Sequence, residues 1–160
     1  MDPIHRLQAC EEIGRLKARY FRCVDAKDWP GLEAVFAPDV VLDRTFGSAL
    51  RDPWTGEWTP PVSETPLLVA GRDAVMEAVR RAVDQVRSVH HGFMPEIDVL
   101  NTHEARGVWA MSDELRDRRG RLIFRGAGHY HETYRRLPSG WAISFFKLTR
   151  LSLEFGDGQC

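Results

Sequence analysis

Residues 88–100, SVHHGFMPEIDVL, are where the chain changes its hydrophobic period. Before them apolar side chains recur at steps of three and four, the spacing of one helical face. After them the repeat shortens to two, the spacing of a strand with one buried side. Four extended runs follow, at 88–100, 105–116, 121–137 and 141–155, broken by the turn-forming stretches NTHEA, DRRG and LPSG. Breaks this short join antiparallel neighbours, so the C-terminal half reads as a four-strand meander.

Toward the N-terminus, Ile4, Leu7, Cys10, Ile13, Leu16, Tyr20 and Val24 mark a first helix over residues 4–26. KDWPGLEAVFAPD predicts a short second helix, capped by Asp28, with Pro30 in its first turn and Pro38 closing it. VVLDRTF reads as a strand, and GRDAVMEAVRRAVDQVR as a third helix with Val75, Val79, Val83 and Val86 facing inward. Between them, Gly47 to Pro66 is dense in Pro and Gly and carries Trp54 and Trp58. It is too long for an ordinary connection and reads as a lid or an oligomer contact. The whole, residues 1–160, is one α+β domain in which three helices cover one face of a curved antiparallel sheet. A curved sheet covered on its concave side encloses a pocket, and chemistry belongs there.

Bulk properties narrow the function. A chain of 160 residues buries roughly 70% of its unfolded surface, enough for a core with a cavity in it. A formal net charge of −1 gives no basic excess to draw it to nucleic acid or to an anionic membrane. Cys10, Cys23 and Cys160 form no CxxC pair, which argues against a disulfide framework and a thiolate metal site and fits a reducing cytoplasm. The N-terminal stretch is charged and amphipathic, without the apolar core of a signal peptide or a spanning helix.

Several residues stand out against that frame. A histidine held by a carboxylate presents a basic nitrogen near neutral pH, which makes His90 and Asp25 a candidate pair for proton abstraction, although a lone buried histidine is more often a satisfied core residue. Asp113 is in phase with Trp109, Met111 and Leu115, and Arg150 with Phe146 and Leu148, so both charges fall on apolar faces. They need partners, and each other is the simplest choice. Tyr20 lies five residues before Asp25, about 140° around a regular helix, and periodicity alone makes it a core aromatic. His129 and His131 alternate with Tyr130 and Tyr134; an HxH pair can hold a metal, with His91 as a conceivable third ligand, but no carboxylate or cysteine spacing supports one. No metal is expected.

These residues bring a family into view. The layout resembles the nuclear-transport-factor-2-like cone of the SnoaL-like superfamily, which includes polyketide cyclases, scytalone dehydratase, hexachlorocyclohexane dehydrochlorinase and ketosteroid isomerase. The closer resemblance is to the bacterial bile-acid 7α-dehydratases. LKARYFRCVDAKDW resembles their first-helix motif and carries a catalytic Tyr and Asp onto Tyr20 and Asp25; VHHGFMPEI resembles their histidine motif, with the catalytic His at His90. GVWAMSDEL carries the active-site Asp onto Asp113, and KLTRLSLE the Arg onto Arg150. The resemblance implies a dehydratase for a hydrophobic steroid-like or polycyclic hydroxy-ketone, without metal or organic cofactor, working as a dimer or trimer. An isomerase that shuttles a proton on a conjugated ketone, or a non-catalytic binding module, are the alternatives. Trp54, Trp58, Met94, Trp109 and Phe146 are the expected substrate contacts.

Periodicity and resemblance disagree over the two adjacent histidines. His91 runs with Phe93, Pro95, Ile97 and Val99, an apolar row that suits the core, whereas His90 runs with Gly92, Met94, Glu96 and Asp98. The resemblance places His90 inside and sends the His91 row outward to pack against a partner.

Overall fold

The structure, a computed structural model, describes residues 2–156; Cys160, the last of the three cysteines, lies outside the described residues. Helix α1 (Pro3–Ala26) starts where the Asp2 carboxylate accepts from the Ile4 amide at 3.4 Å and Pro3 fills the first turn. It ends at Lys27, whose φ of 60° lies in the left-handed region. Helix α2 (Trp29–Glu33) is capped by Asp28, which accepts from Gly31 N–H at 3.0 Å. It stops before Pro38, which instead sits inside strand β1 (Phe36–Asp43), because the helix offers only Leu32 to the core and Val35 is already tied to the last strand. Helix α3 (Arg72–Val83) buries Val75, Val79 and Val83, as its spacing predicts.

The meander forms at the expected boundaries as β5 (Arg87–Val99), β6 (Glu104–Arg116), β7 (Leu122–Leu137) and β8 (Gly140–Phe155), all antiparallel. The expectation of a purely antiparallel sheet needs correction, since β1 joins β8 in parallel. A short hairpin, β2 (Leu50–Arg51) with β3 (Trp58–Thr59), adds parallel to β8 at Arg150, and β4 (Leu68–Ala70) pairs with β1. The long chain excursions between β1, β2 and β8 permit the parallel pairings, which no tight turn could make. The result is a mixed, curved, unclosed sheet of eight strands with β5 and β3 at its edges and three helices. Among the described residues, no helix is long and apolar enough to cross a membrane.

Helix α1 is fixed to the sheet by a buried polar network. Lys17 and Glu132 are both fully buried and ion-paired; the Tyr134 hydroxyl donates to the other Glu132 oxygen at 2.5 Å, and Trp109 Nε1 donates to Tyr134 at 2.7 Å. The Lys17 ammonium also lies 3.6 Å from the centre of the Tyr130 ring and 4.3 Å from that of Tyr20. Burial pushes the Lys17 ammonium below its ordinary range, with Glu132 pulling the other way. Removing one partner strands a charge in the core, whereas removing both does not. Lys17→Met alone is expected to cost about 3–5 kcal/mol and Lys17→Met with Glu132→Leu far less, read from urea unfolding midpoints.

Candidate active site

Pleat alternation on β5 sends Ser88, His90 and Gly92 toward α1 and leaves Val89, His91 and Phe93 on the outer face. Gly92 is required there, because a Cβ would come within 2.5 Å of the Phe21 ring. The His90 side chain is 8% exposed, and its Nδ1 lies 2.7 Å from Asp25 Oδ1. Asp25 Oδ2 accepts from the His90 backbone N–H at 2.8 Å, and Ser88 Oγ donates to Oδ1 at 2.9 Å. Burial pushes the Asp25 carboxyl up, but its hydrogen bonds from the His90 ring and backbone, with that of Ser88, outweigh burial and hold it below the ordinary carboxylate range.

His90 faces a cavity of about 280 Å³ together with Tyr20, Asp113, Tyr130, Phe146 and Arg150. Arg150 grips Asp113 with two bonds of 2.7 Å, and its Nε donates to the Gly47 carbonyl at 3.0 Å. Gly126 makes room for the guanidinium, since a Cβ there would lie 2.4 Å from Nη1. The ion pair expected from strand phase is therefore present, and it forms part of the cavity wall. Tyr20 sits among Phe36, Tyr130 and Phe146, with ring centroids 6.0–6.1 Å away. Burial pushes its hydroxyl far above the ordinary phenol range, against a smaller opposite pull from Tyr130, so Tyr20 stays a neutral hydrogen-bond donor. Helix α1 remains regular to Ala26, and the imidazole resolves the angular separation of Tyr20 and Asp25: Asp25 sits behind the ring while Tyr20 faces the cavity.

The other expected substrate contacts divide. Phe146 lines the cavity, but Trp54, Trp58, Met94 and Trp109 do not. Trp54 is 90% exposed on a turn closed by Asp52, and Trp58 packs outside the cavity against Phe46, with ring centroids 4.7 Å apart and planes tilted by 45°. Trp109 is buried four residues before Asp113, bonded into the Lys17–Glu132 network. Met94 is 93% exposed because a bulge between Phe93 and Glu96 interrupts the ladder. Pro95, within it, has no N–H to give. The same bulge inverts the later alternation, so Ile97 and Val99 pack on the core rather than pointing outward with His91. Residues that the sequence reading passed over also line the cavity, notably Tyr130, Leu42 and Phe124. Among the described residues, no three His, Cys, Asp or Glu side chains are grouped to hold a metal; His131 instead bonds Thr149 at 3.0 Å.

The SnoaL-like domain profile matches residues 5–147, nearly the whole chain. The chain belongs to this family. A probable cyclase of Gibberella zeae, FGR4, is 22% identical over 148 residues, covering 90% of this SnoaL-like chain and 92% of the relative. Among solved structures, a provisionally named scytalone dehydratase of Novosphingobium aromaticivorans superposes with a TM-score of 0.76 at 17% identity, covering 99% of each chain. The type 3 hexachlorocyclohexane dehydrochlorinase LinA of Novosphingobium barchaimii gives 0.72 at 15% identity, covering 99% of this chain and 97% of its own. These two likenesses establish the fold.

Because its folded carboxyl lies below the ordinary range, Asp25 contributes stability that is present above the unfolded value of about 3.9 and is lost as pH falls through the folded one. Asp25→Asn is therefore expected to be destabilised relative to the parent at pH 6, with the gap shrinking below about pH 4. Thermal melts of both proteins across that range check it.

Proposed function

We propose that this SnoaL-like protein is a cofactor-independent dehydratase that removes water from a β-hydroxy or vinylogous hydroxy-ketone. The observation that carries the reading is the 2.7 Å contact from Asp25 to His90 Nδ1, which leaves Nε2 as the nitrogen to face the cavity. With its Nδ1–H held, the ring exists as the tautomer whose Nε2 lone pair takes a proton from the carbon beside the carbonyl. The C–H electron pair moves into an enolate, and Tyr20 donates a hydrogen bond to the enolate oxygen or to the departing hydroxyl. Collapse of the enolate breaks the C–O bond, and the hydroxide leaves as water with the proton that His90 had taken. Asp25 stabilises the imidazolium between these steps. The Asp113–Arg150 pair orients the polar end of the substrate.

Val24, Leu42, Val79, Leu115, Phe146 and Leu148 give the rest of the wall an apolar character suited to a fused-ring skeleton. Its volume of about 280 Å³ is at the low end for small-molecule sites, which favours a compact polycycle, or a steroid-like one that projects through the mouth. The names of the two structural neighbours, a dehydratase and a dehydrochlorinase, both denote eliminations and favour this reading over a proton-shuttling isomerase. Self-association through the outer face of the meander, where Val89 and Phe93 are about half exposed, belongs to the same reading.

The test is turnover of a panel of hydroxy-ketones, followed by mass spectrometry for a product lighter by one water. His90→Ala is expected to lower turnover by roughly 10²–10⁴-fold, the usual worth of a general base, and His91→Ala to leave it near the parent rate. The reverse ranking, or a product of unchanged mass, overturns the proposal.

A further inference from the structure

Helix α1 ends in a residue that its backbone does not favour. Lys27 holds φ at 60°, the left-handed conformation that helix ends usually reserve for glycine. Its N–H still closes the helix, to Val24 at 3.3 Å. What glycine could not supply is the side chain. Lys27 Nζ reaches across to β5 and meets Ser88 Oγ at 2.9 Å; Ser88 in turn meets Asp25 Oδ1 at 2.9 Å, the same oxygen that lies 2.7 Å from His90 Nδ1.

We propose that Lys27 and Ser88 are positioning residues that hold His90 in its neutral, proton-accepting form. The inference rests on the reading of His90 as the base. An ammonium can only donate, so the Ser88 oxygen accepts from Lys27 and its single proton is directed to Asp25. The chain of bonds therefore has one direction, from the lysine through the serine to the carboxylate behind the imidazole.

Its consequence follows from the charges that face His90. Helix α1 presents Asp25 and Tyr20, β6 presents Asp113 directly across the ladder, β7 presents Tyr130 and β8 presents Arg150, while Asp43 at the end of β1 and Arg44 after it line the same cavity. Asp113 is taken up by both arms of Arg150, and burial keeps the two tyrosines neutral. Asp25 is thus the carboxylate bonded to the His90 ring, and Lys27 is the cation joined to it, through Ser88. An unopposed carboxylate stabilises the imidazolium, which cannot accept a proton from carbon. Ser88 and Lys27 draw on the same carboxylate and oppose that effect. Burial holds the Lys27 ammonium below its ordinary range, against smaller upward pulls from Asp25 and from Asp84, just past α3.

The experiment needs no substrate. The ring signals of His90, assigned by their loss in His90→Gln, are followed against pH by proton–carbon correlation NMR in the resting protein. Ser88→Ala and Lys27→Met are each expected to move the titration midpoint upward by roughly half a unit or more. Lys27→Gly is expected to melt at or above the parent temperature, because it relieves the left-handed residue, while moving the His90 midpoint as Lys27→Met does. That combination separates the electrostatic role from a part in ending the helix. A midpoint unmoved or lowered in folded Ser88→Ala and Lys27→Met overturns the proposal. Because the readout is the resting imidazole, that outcome is distinct from His90→Ala retaining turnover, which would instead remove the catalytic reading.

Discussion

Two fully buried charges, Lys17 on the first helix and Glu132 on the third strand of the meander, set the geometry on which the rest depends. Neither could be left alone in the core, so the helix has to cross the sheet at one height and one rotation. That rotation decides which turn of α1 meets β5. Tyr20 and Phe21 follow Lys17 by three and four residues and fall on the same inner face, beside Tyr130. Asp25, two turns beyond Lys17, then arrives opposite Ser88 and His90.

Close approach does the remaining work of placement. Phe21 can lie against β5 only because residue 92 lacks a side chain, and its ring stacks nearly parallel to His90, 15° between planes. On β7, the space at Gly126 admits the Arg150 guanidinium. Tyr20, His90, Asp113, Tyr130 and Arg150 are thus held by a helix and strands, which suits groups that must keep their orientation through a reaction, whereas Arg44 and Ser48 line the cavity from the loop after β1.

Much of this was legible from residue order. The switch of period at residue 88 gave the meander, and charges lying in phase with apolar neighbours gave Asp113 and Arg150. The same logic reaches Lys17, in phase with Ile13, Tyr20 and Val24, and Glu132, in phase with Tyr130 and Tyr134, so the central ion pair also had a signal in the sequence. Other features had none. Alternation could not be carried past Pro95, because one bulge exchanges the two faces of the strand, and Met94 and Ile97 changed sides with it. Trp54 is an expected substrate contact, yet it is held at the surface by local turn bonds that say nothing about the cavity. The parallel seat of β1 on β8 depends on chain crossings that short-range patterns do not encode.

The bond from Arg150 Nε to the Gly47 carbonyl places the root of the 47–66 segment on the same guanidinium that neutralises Asp113. A guest that draws hydrogen bonds from that guanidinium competes with Gly47 for its direction, and a shift of Gly47 is passed to the β2–β3 hairpin, which is itself seated on Arg150 through Leu50. Occupancy of the cavity and order in the outlying hairpin are then two sides of one linkage: a guest that takes the guanidinium from Gly47 loosens the hairpin, and whatever holds Gly47 on Arg150 weakens the guest to the same degree.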